Sequence, residues 1–402
     1  MISITGIETA AKNISGIVNS KNFMRSNALS DELGMDIFLK LENMQKTGSF
    51  KIRGAYNFIT RHLDEAKKNG VITASAGNHA LAVACASSHY GISAELFMPK
   101  NAPLVKAESC KRLGAEVHLE GKNYNDALLL AKKQADETGK LFVNAFDDYD
   151  VIEGQGTIGL EIFENIAQPD YVIVPIGGGG LIGGIAYALK SRNPKIKIIG
   201  VQTHEADSAY HSFHEGKIAE THAPKTIADG IAVKSVREKT FPLIQYYVDD
   251  VVVVEEEEIA RAVLMYMELA KIIVEGAGAV PLAALLSDKI KGIAGEVVLL
   301  VSGGNIDVNL IERIIETGLL RIGRIMKVVV DVDDVPGIMA IMAGSIADCG
   351  GNILQITHGR TEWGLPVGMT RIEFTVETRG YDHINQIVEC IKNNGFKPLL
   401  RN

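Results

Sequence analysis

The sequence has little of what marks nucleic-acid-binding, membrane-surface or disordered proteins. Its 402 residues carry 41 Lys and Arg against 49 Asp and Glu, a formal net charge of −8, and contain no Lys/Arg-rich run. Because nucleic acid and anionic membranes attract clustered positive charge, we expect neither as a partner. Charged residues make up only 22% and hydrophobic residues 47%. This balance excludes intrinsic disorder and provides side chains for a sizeable core.

Cysteine is also scarce, and no long apolar run is suited to a membrane. The four cysteines lie far apart without C-x-x-C spacing: Cys85, Cys110, Cys349 and Cys390. We interpret them as buried thiols in a reducing compartment rather than a disulfide framework. The amino-terminal segment lacks a basic end followed by an apolar run, so no signal peptide is expected. The uncharged stretch 171–189 contains six glycines, which favours a strand, a loop and a buried helix over a membrane span. We therefore predict a cytoplasmic protein.

The order of predicted elements indicates two domains. Between about residues 70 and 320, short β-rich runs alternate with helical patterns, which predicts parallel sheets with helices on both faces. Nearly continuous apolar runs such as YVIVPI fit strands that are covered on both sides. From Ile325 the order becomes strand, helix, strand, strand, helix, strand, which is the ferredoxin-like unit. The sequence thus predicts an α/β domain followed by a small second domain.

A run of four glycines, residues 177–180, lies between a predicted strand and a predicted helix. Glycines at such a place let the backbone point N–H groups at an anion, and the helix start adds positive potential. The run indicates phosphate binding, because a tight turn alone does not call for four glycines. Gly178 to Gly183 also match G-x-G-x-x-G, but Gln202 stands where that motif needs an acidic residue to hold a ribose. A nicotinamide-dependent enzyme is therefore only weakly supported.

Three further motifs place polar groups at the ends of predicted elements. In GSFKIRGA, Lys51 is either a first-turn surface charge or, if partly removed from water, a nucleophile able to form a Schiff base. In SAGNH, residues 75–79, the amides and the hydroxyl could hold a carboxylate, or the motif is an ordinary capped helix start. SGGN, residues 302–305, ends an apolar strand, where ligands gather in open α/β sheets.

The combination SFKIRGA, SAGNH, GGGGL, EGAGA and SGGN, in this order, resembles the fold-type II pyridoxal-phosphate enzymes, and among them the threonine/serine dehydratases (threonine ammonia-lyases). The resemblance implies a two-lobed catalytic domain over residues 1–322, with a smaller lobe of about residues 50–150 inserted in the larger one. The tail, residues 325–402, resembles an ACT domain, a ferredoxin-like module that binds amino acids. The implied cofactor is pyridoxal 5′-phosphate. The implied reaction is β-elimination of water from L-threonine, with L-serine as a secondary substrate, to give 2-oxobutanoate and ammonia.

The family's roles carry over motif by motif. Lys51 would form the Schiff base with the cofactor and remove the α-proton, Asn78 would bond the cofactor's 3′-oxygen, and Ser302 would face the pyridine nitrogen. The substrate carboxylate would be held by Ser75, Ala76, Gly77 and Asn78. The phosphate would be held by Gly177, Gly178, Gly179, Gly180 and Leu181. Glu275, in EGAGA, falls in the family's site region without an assigned role.

Alternatives within and outside the family stay open. Serine racemases resemble the chain but carry a second serine at the place of Ala76, so we expect poor racemisation here. The same relatives hold a divalent metal where this chain has Gln202 and Ser208, so no metal site is predicted. A serine-preferring dehydratase or a racemase shares the remaining machinery. A non-catalytic amino-acid sensor is the third alternative, against which the intact Lys51 argues.

The ACT-like tail contains a candidate effector site. Its members, matched to the family's effector loops, are Asp334, Pro336, Gly337, Asn352 and Ile353. Since such domains pair across subunits, we expect a homodimer or homotetramer. The effector would be an amino acid or a nucleotide, and it could shift catalysis only if it binds two states with different affinity. Isoleucine biosynthesis and threonine catabolism both fit this arrangement, and a purely structural dimerisation role is the alternative.

Overall fold

The computed structural model describes residues 1–166, 168–222 and 224–401, and the chain divides into two compact units. Unit 1 spans Met1–Ile306 and unit 2 spans Asp307–Asn402. The boundary falls before a helix over Val308–Arg321 that the sequence analysis assigned to the first domain. The catalytic and regulatory assignments of the two domains stay predictions. Within the described ranges, the helices are all too short or too polar to cross a bilayer.

Helices and strands alternate through most of unit 1, and unit 2 begins with a helix. Unit 1 contains α1 (Ile4–Asn13), β1 (Phe23–Arg25), α2 (Asn27–Leu33), β2 (Asp36–Leu41), α3 (Lys51–Arg61), α4 (Leu63–Asn69), β3 (Val71–Ala74), α5 (Asn78–Tyr90), β4 (Ala94–Met98), α6 (Leu104–Arg112), β5 (Glu116–Leu119), α7 (Tyr124–Thr138), β6 (Leu141–Phe142), α8 (Tyr149–Asn165), β7 (Tyr171–Pro175), α9 (Gly180–Arg192), β8 (Lys197–Thr203), α10 (Ser208–Glu215), α11 (Phe241–Tyr247), β9 (Asp250–Val254), α12 (Glu256–Met265), α13 (Gly276–Leu286) and β10 (Glu296–Val301). Unit 2 contains α14 (Val308–Arg321), β11 (Ile325–Asp333), α15 (Ile338–Asp348), β12 (Asn352–Gly359), β13 (Met369–Glu377), α16 (Tyr381–Asn393) and β14 (Leu399–Arg401).

Two sheets organise unit 1. The larger has the strand order β1-β2-β10-β7-β8-β9 and is parallel except for β1, which pairs antiparallel with β2. The smaller has the order β5-β4-β3-β6 and is parallel throughout. Strands such as β3 are buried along their whole length, as expected where helices cover both faces of a parallel sheet. The predicted α/β architecture with two parallel sheets is confirmed.

Unit 2 is built on one antiparallel sheet with the strand order β12-β13-β11-β14. Its elements β11, α15, β12, β13, α16 and β14 follow the order predicted for a ferredoxin-like unit. The core of the unit combines alternate residues of the strands with apolar residues of both helices, among them Val328, Phe374, Met342 and Ile387. The ferredoxin-like fold of the tail therefore agrees with the sequence pattern.

The interpretation of all four cysteines as thiols was wrong for two of them. Cys349, at the end of α15, and Cys390, in α16, form a disulfide with their Cα atoms 6.7 Å apart. They are 41 residues apart in sequence, and the packing of the two helices brings them together. Cys85 and Cys110 are free thiols, and Cys110 is buried.

Helix α3, which begins at Lys51, packs against α8 at very short range. A Cβ atom on Gly154 of α8 would lie 2.7 Å from the carbonyl oxygen of Arg53 and 2.7 Å from the Cα atom of Gly54. Both of these neighbours are backbone atoms, which cannot turn aside as a flexible side chain can. Only glycine therefore allows the two helices to approach so closely.

Four buried charges fix the same helix. Arg53 pairs with Glu42 at 2.7 Å and with Glu161 at 2.6 Å, and Lys40 pairs with Glu161 at 2.7 Å. Burial opposes the ionisation of Glu42, but Arg53 and Lys40 hold its pKa below the ordinary value. Two positive and two negative side chains thus neutralise one another, which is what allows them to be buried.

We expect Gly154→Ala to lower the free energy of unfolding by about 1–3 kcal/mol, the usual result of overpacking a dense interior. The matched control is Gly344→Ala in α15, where a Cβ atom would meet nothing within 4 Å. Alanine there should be neutral or stabilising by about 0.5–1 kcal/mol, because glycine weakens a helix interior. Chemical and thermal unfolding followed by circular dichroism measures both variants. Equal stability of the two proteins would contradict the packing argument.

Candidate active site

A cavity of about 920 Å³ is lined by residues that follow strands of both sheets in unit 1. Ligands bind at the carboxyl ends of strands in open α/β sheets. All the cofactor- and substrate-binding residues predicted from sequence line this cavity: Lys51, Ser75, Ala76, Gly77, Asn78, Gly177, Gly178, Gly179, Gly180, Leu181 and Ser302. The structure thus brings together four motifs that are up to about 250 residues apart along the chain.

Lys51 places its amine in this cavity. It is the first residue of α3, and its Nζ donates a hydrogen bond of 2.9 Å to the carbonyl oxygen of Ala145. Removal from water lowers the pKa of Lys51 to about 8, although the nearby Glu275 carboxylate acts in the opposite direction. About one tenth of the amine is therefore uncharged at pH 7, far more than of an ordinary lysine, and this form can act as a nucleophile or a base.

The glycine run forms a turn that side chains cannot enter. Gly179 has a φ of +90°, a conformation that L-residues with side chains rarely adopt. A Cβ atom on Gly180 would lie 2.6 Å from the carbonyl oxygen of Phe146, and one on Gly177 would lie 3.1 Å from the Cα atom of Ile231. Gly180 begins α9, whose first N–H groups have no acceptor within the helix. The turn therefore offers backbone donors to an anion.

Glu275 lies at the centre of a buried polar network. Asn78 Nδ2 donates to both of its carboxylate oxygens, at 2.8 and 3.1 Å, and Asn305 Nδ2 donates to Asn78 Oδ1 at 2.8 Å. Burial and the neighbouring Asp229 raise the pKa of Glu275 to about 7. This carboxyl group can therefore hold or release a proton near neutral pH. Any ligand that binds the amide of Asn78 must share that donor with Glu275.

Sequence reasoning missed a further part of the cavity wall. The unassigned lining residues include Asn144, Ala145, Phe146, Asp147, Lys106, Tyr124, Asp229, Gly230, Ile231, Ala232, Val233, Lys234 and Arg237. The segment 144–146 closely follows β6, so its place after a predicted strand was a usable signal. The segment 229–237 carries no motif and reaches the cavity only through the tertiary fold.

The five residues predicted as an effector site fall into two groups at opposite ends of the sheet in unit 2. Asn352 and Ile353 form the first group and begin β12. Asn352 lies beside Glu377 of β13, and Glu377 lies beside Ile325, so this group is at the end of the sheet where β11 begins. The other group follows the last residue of β11, about 27 Å away at about 3.4 Å per residue, and consists of Asp334, Pro336 and Gly337. Arg360 binds Asp334 through two hydrogen bonds, of 2.7 and 3.1 Å. One small ligand cannot contact both groups within one copy of the chain.

The lowered pKa of Lys51 leads to a test on the cofactor-free protein. Only the uncharged amine reacts with an amine-selective reagent, so the rate of Lys51 modification should rise with pH with a midpoint near pH 8. The midpoint of an ordinary lysine would lie near about 10.4. Mass spectrometry of the Lys51 peptide measures the rate. Glu275→Gln removes a negative charge that raises the pKa of Lys51, so the midpoint of Lys51 modification should move to a lower pH. A midpoint near that of ordinary lysine would contradict the proposed environment.

Comparison with known proteins agrees with these features. Residues 14–303 match the family described as pyridoxal-phosphate dependent enzyme. The chain is 45% identical over 396 residues to the L-threonine ammonia-lyase of Geobacter sulfurreducens, which covers 98% of both chains. It is 44% identical over 398 residues to that of Thermotoga maritima, which covers 99% of both. Among solved structures, maize serine racemase is similar with a TM-score of 0.75 and 37% identity, over 80% of this chain and 98% of that one. Threonine deaminase isoform 2 from Solanum lycopersicum gives a TM-score of 0.74 and 35% identity, over 79% of this chain and 87% of that one.

The cavity fits the cofactor of this family. The glycine turn at the start of α9 suits a phosphate, because the first N–H groups of the helix have no acceptor within it and line the cavity. Lys51 provides an amine for an aldehyde, and Ser302 provides a hydroxyl at the end of β10. With residues 14–303 matched and full-length relatives at 44–45% identity, the chain belongs to the pyridoxal-phosphate-dependent enzymes, in the group of the threonine ammonia-lyases.

Proposed function

We propose that the chain deaminates L-threonine to 2-oxobutanoate and ammonia with pyridoxal phosphate as cofactor. The observation that carries this proposal is the presence in one cavity of the Lys51 amine, the glycine turn at residues 177–180 and the SAGNH loop at residues 75–79. The substrate is supported by relatives named L-threonine ammonia-lyase that are matched over nearly their full length.

Three groups of the chain would hold the cofactor. The N–H groups of the glycine turn would bind its phosphate, Lys51 Nζ would bind its aldehyde carbon, and Ser302 Oγ would face its pyridine nitrogen. When bound, the cofactor supplies an electron sink for the electrons released at the substrate α-carbon. A hydroxyl at the pyridine nitrogen does not hold that atom protonated as a carboxylate would. Ser302 therefore weakens the electron sink and favours prompt loss of the β-hydroxyl over side reactions.

The start of α5 would hold the carboxylate of the substrate. Gly77 N–H donates to Ser75 Oγ at 3.2 Å, so the hydroxyl oxygen is an acceptor inside the loop and its hydrogen stays available to a ligand. The N–H groups of the first turn of α5, a helix of 13 residues, add positive potential. The carboxylate would thus be bound by one hydroxyl and several backbone donors.

Lys51 Nζ is the group that would remove the α-proton. Its pKa of about 8 puts it near the range that general-base catalysis requires. Burial and the neighbouring Lys51 lower the pKa of His79 to about 3, so this imidazole stays neutral, and its Nε2 lies 3.0 Å from the carbonyl oxygen of Val143. Ala76, also in the cavity wall, carries only a methyl group and cannot transfer a proton. Lys51 therefore supplies a base at one face of the substrate. At the other face, Ala76 replaces the serine that the racemases use to transfer a proton.

A serine-preferring dehydratase or serine racemase is the second candidate. The likeness to maize serine racemase supports it, and Ala76 argues against its racemising form. A nicotinamide enzyme has less support, because both polar atoms of the Gln202 side chain are already hydrogen-bonded to backbone groups. Gln202 Oε1 accepts from the N–H of Tyr210 at 2.9 Å, and Nε2 donates to the carbonyl oxygen of Ile176 at 3.3 Å.

For unit 2, we propose that a second copy of the chain completes an effector site for an amino acid or a nucleotide. The strand β12 lies at an edge of the sheet, where Leu354 is 52% exposed and Ile356 is 40% exposed. An unpaired edge of this kind can pair with another strand. Antiparallel pairing of two β12 strands would bring Asn352 of one copy close to the Asp334 end of the other. The homo-oligomer, the regulation and the cytoplasmic location stay predictions.

Lys51→Ala should abolish formation of 2-oxobutanoate from L-threonine while leaving the circular dichroism spectrum unchanged, because we propose no other amine for the cofactor. A coupled assay of the oxo acid with L-threonine and L-serine measures turnover, and chiral chromatography measures D-serine. Turnover of the variant at the wild-type rate would contradict the mechanism. Faster racemisation than deamination in the wild type would favour the second candidate.

Leu354→Arg should lower the mass of the particle in light scattering and remove any response of turnover to L-isoleucine or a nucleoside monophosphate. The physical reason is that a charge on β12 prevents two edge strands from pairing. The matched control is Leu399→Arg on β14, the opposite edge, where the side chain is 66% exposed. The proposal fails if Leu354→Arg keeps both the mass and the response, or if only Leu399→Arg loses them.

A further inference from the structure

Outside the cavity, two carboxylates and an imidazole converge on the smaller sheet of unit 1. Glu95 lies on β4, and Glu116 and His118 lie on β5. Glu95 is in register with Glu116, and Phe97 is in register with His118. Because alternate residues of a strand share a face, all these side chains project from the same face of the sheet. Glu95 and Glu116 lie near the amino ends of their strands, whereas the active-site loops follow the carboxyl ends.

The distances between these three groups are those of ligands around an ion. His118 Nε2 lies 3.7 Å from Glu95 Oε2 and 3.6 Å from Glu116 Oε1, and the three ligand atoms lie within 4.8 Å of one another. These separations are too long for hydrogen bonds. Two ligands that each lie about 2.0–2.1 Å from a tetrahedral ion are about 3.4 Å apart. The two distances from His118 Nε2 are therefore close to those between neighbouring ligands of one ion.

Two of the ligand atoms are buried without a partner. Among the described residues, neither Glu95 Oε2 nor His118 Nε2 has a hydrogen-bond partner. Glu95 as a whole is only 6% exposed, and its other oxygen, Oε1, is bound by Lys140. A buried carboxylate oxygen without a partner costs free energy, which a cation in the gap would offset. With Lys140, the two carboxylates leave one excess negative charge at the cluster, and a divalent ion would change this to one excess positive charge.

The geometry is also held in place before any ion binds. The ring of Phe97 stacks on the imidazole of His118 with centroids 4.5 Å apart and an interplanar angle of 21°. The two strands fix the spacing of Glu95 and Glu116 through their register. The side chain of Glu116 is 67% exposed, which gives an ion access from solvent.

We propose that Glu95, Glu116 and His118 form a binding site for a divalent transition-metal ion of the zinc class, with water completing the coordination. One imidazole nitrogen and two carboxylate oxygens form a ligand set that zinc accepts, and the absence of thiolate from this set disfavours soft ions such as Cu(I). Since β5 is an edge strand, the ion would tie it to β4. The site would stabilise the smaller sheet and take no part in the chemistry at Lys51.

Zinc titration of the cofactor-loaded enzyme tests this proposal by calorimetry. We expect one tight site per chain and an unfolding temperature that rises with zinc. His118→Ala and Glu116→Gln should each weaken binding by about 10–100-fold or more, the range seen when metal surroundings are altered. Glu116 is exposed, so its variant keeps the fold even if that of His118 does not.

The matched control is His211→Ala, which removes another imidazole that lies between two carboxylates. His211 Nε2 lies 3.1 Å from Asp207 and Nδ1 lies 3.7 Å from Glu215, so the two carboxylates face opposite ring nitrogens and cannot share one ion with it. This variant should bind zinc as the wild type does. The proposal is wrong if Glu116→Gln and the wild type bind zinc equally, or if His211→Ala alone loses the ion. An anomalous-scattering peak at the zinc edge away from Glu95 would also overturn it.

Discussion

The active site depends first on how the beginning of α3 is held. Arg53 lies two residues after Lys51 and is fully buried against Glu42 and Glu161. Removing one partner of such a pair leaves an uncompensated buried charge and typically costs about 3–5 kcal/mol. The close contact of Gly154 with the backbone of Arg53 and Gly54 restricts the same turn. The backbone that carries the Lys51 side chain is thus held in one conformation.

Burial then sets the proton affinities inside the cavity. Desolvation favours the uncharged form of every ionisable group, so it lowers the pKa of Lys51 to about 8 and raises that of Glu275 to about 7. A base and an acid that are ordinarily about six units apart are thereby brought close to one another and to neutral pH. Groups adjusted in this way can exchange protons with a substrate without a large change in energy. The same removal of water strengthens the polar network of Asn78 and Asn305 around the carboxyl group.

The sequence allowed the cavity to be predicted because its motifs are local and lie where strands end. In the larger sheet the carboxyl ends of the parallel neighbours β7 and β10 meet at one edge, so GGGGL and SGGN had to come near one another. SAGNH follows β3 of the smaller sheet and joins them in the cavity through tertiary packing. Features that depend on tertiary packing were not predictable in this way. Three such features join segments that are distant in sequence, and no local pattern indicates which segments meet. They are the network around Glu275, the wall at residues 229–237 and the Cys349–Cys390 disulfide. The effector residues stay a prediction, and strand direction places Asp334 and Asn352 at opposite ends of the sheet within one copy of the chain.

Buried polar groups in unit 1 differ in whether the fold satisfies them. The charges around Arg53 are paired on every side and need no ligand, so their role is structural. Glu95 and His118 each keep a buried atom without a partner, and the register of β4 and β5 points both atoms at one gap beside Glu116. A lone unsatisfied atom would not suffice, as the buried hydroxyl of Tyr266 is also without a hydrogen-bond partner among the described residues but is a single neutral group. It is the convergence of two unsatisfied atoms and a third ligand, at separations longer than hydrogen bonds, that distinguishes a binding site from an imperfection of packing.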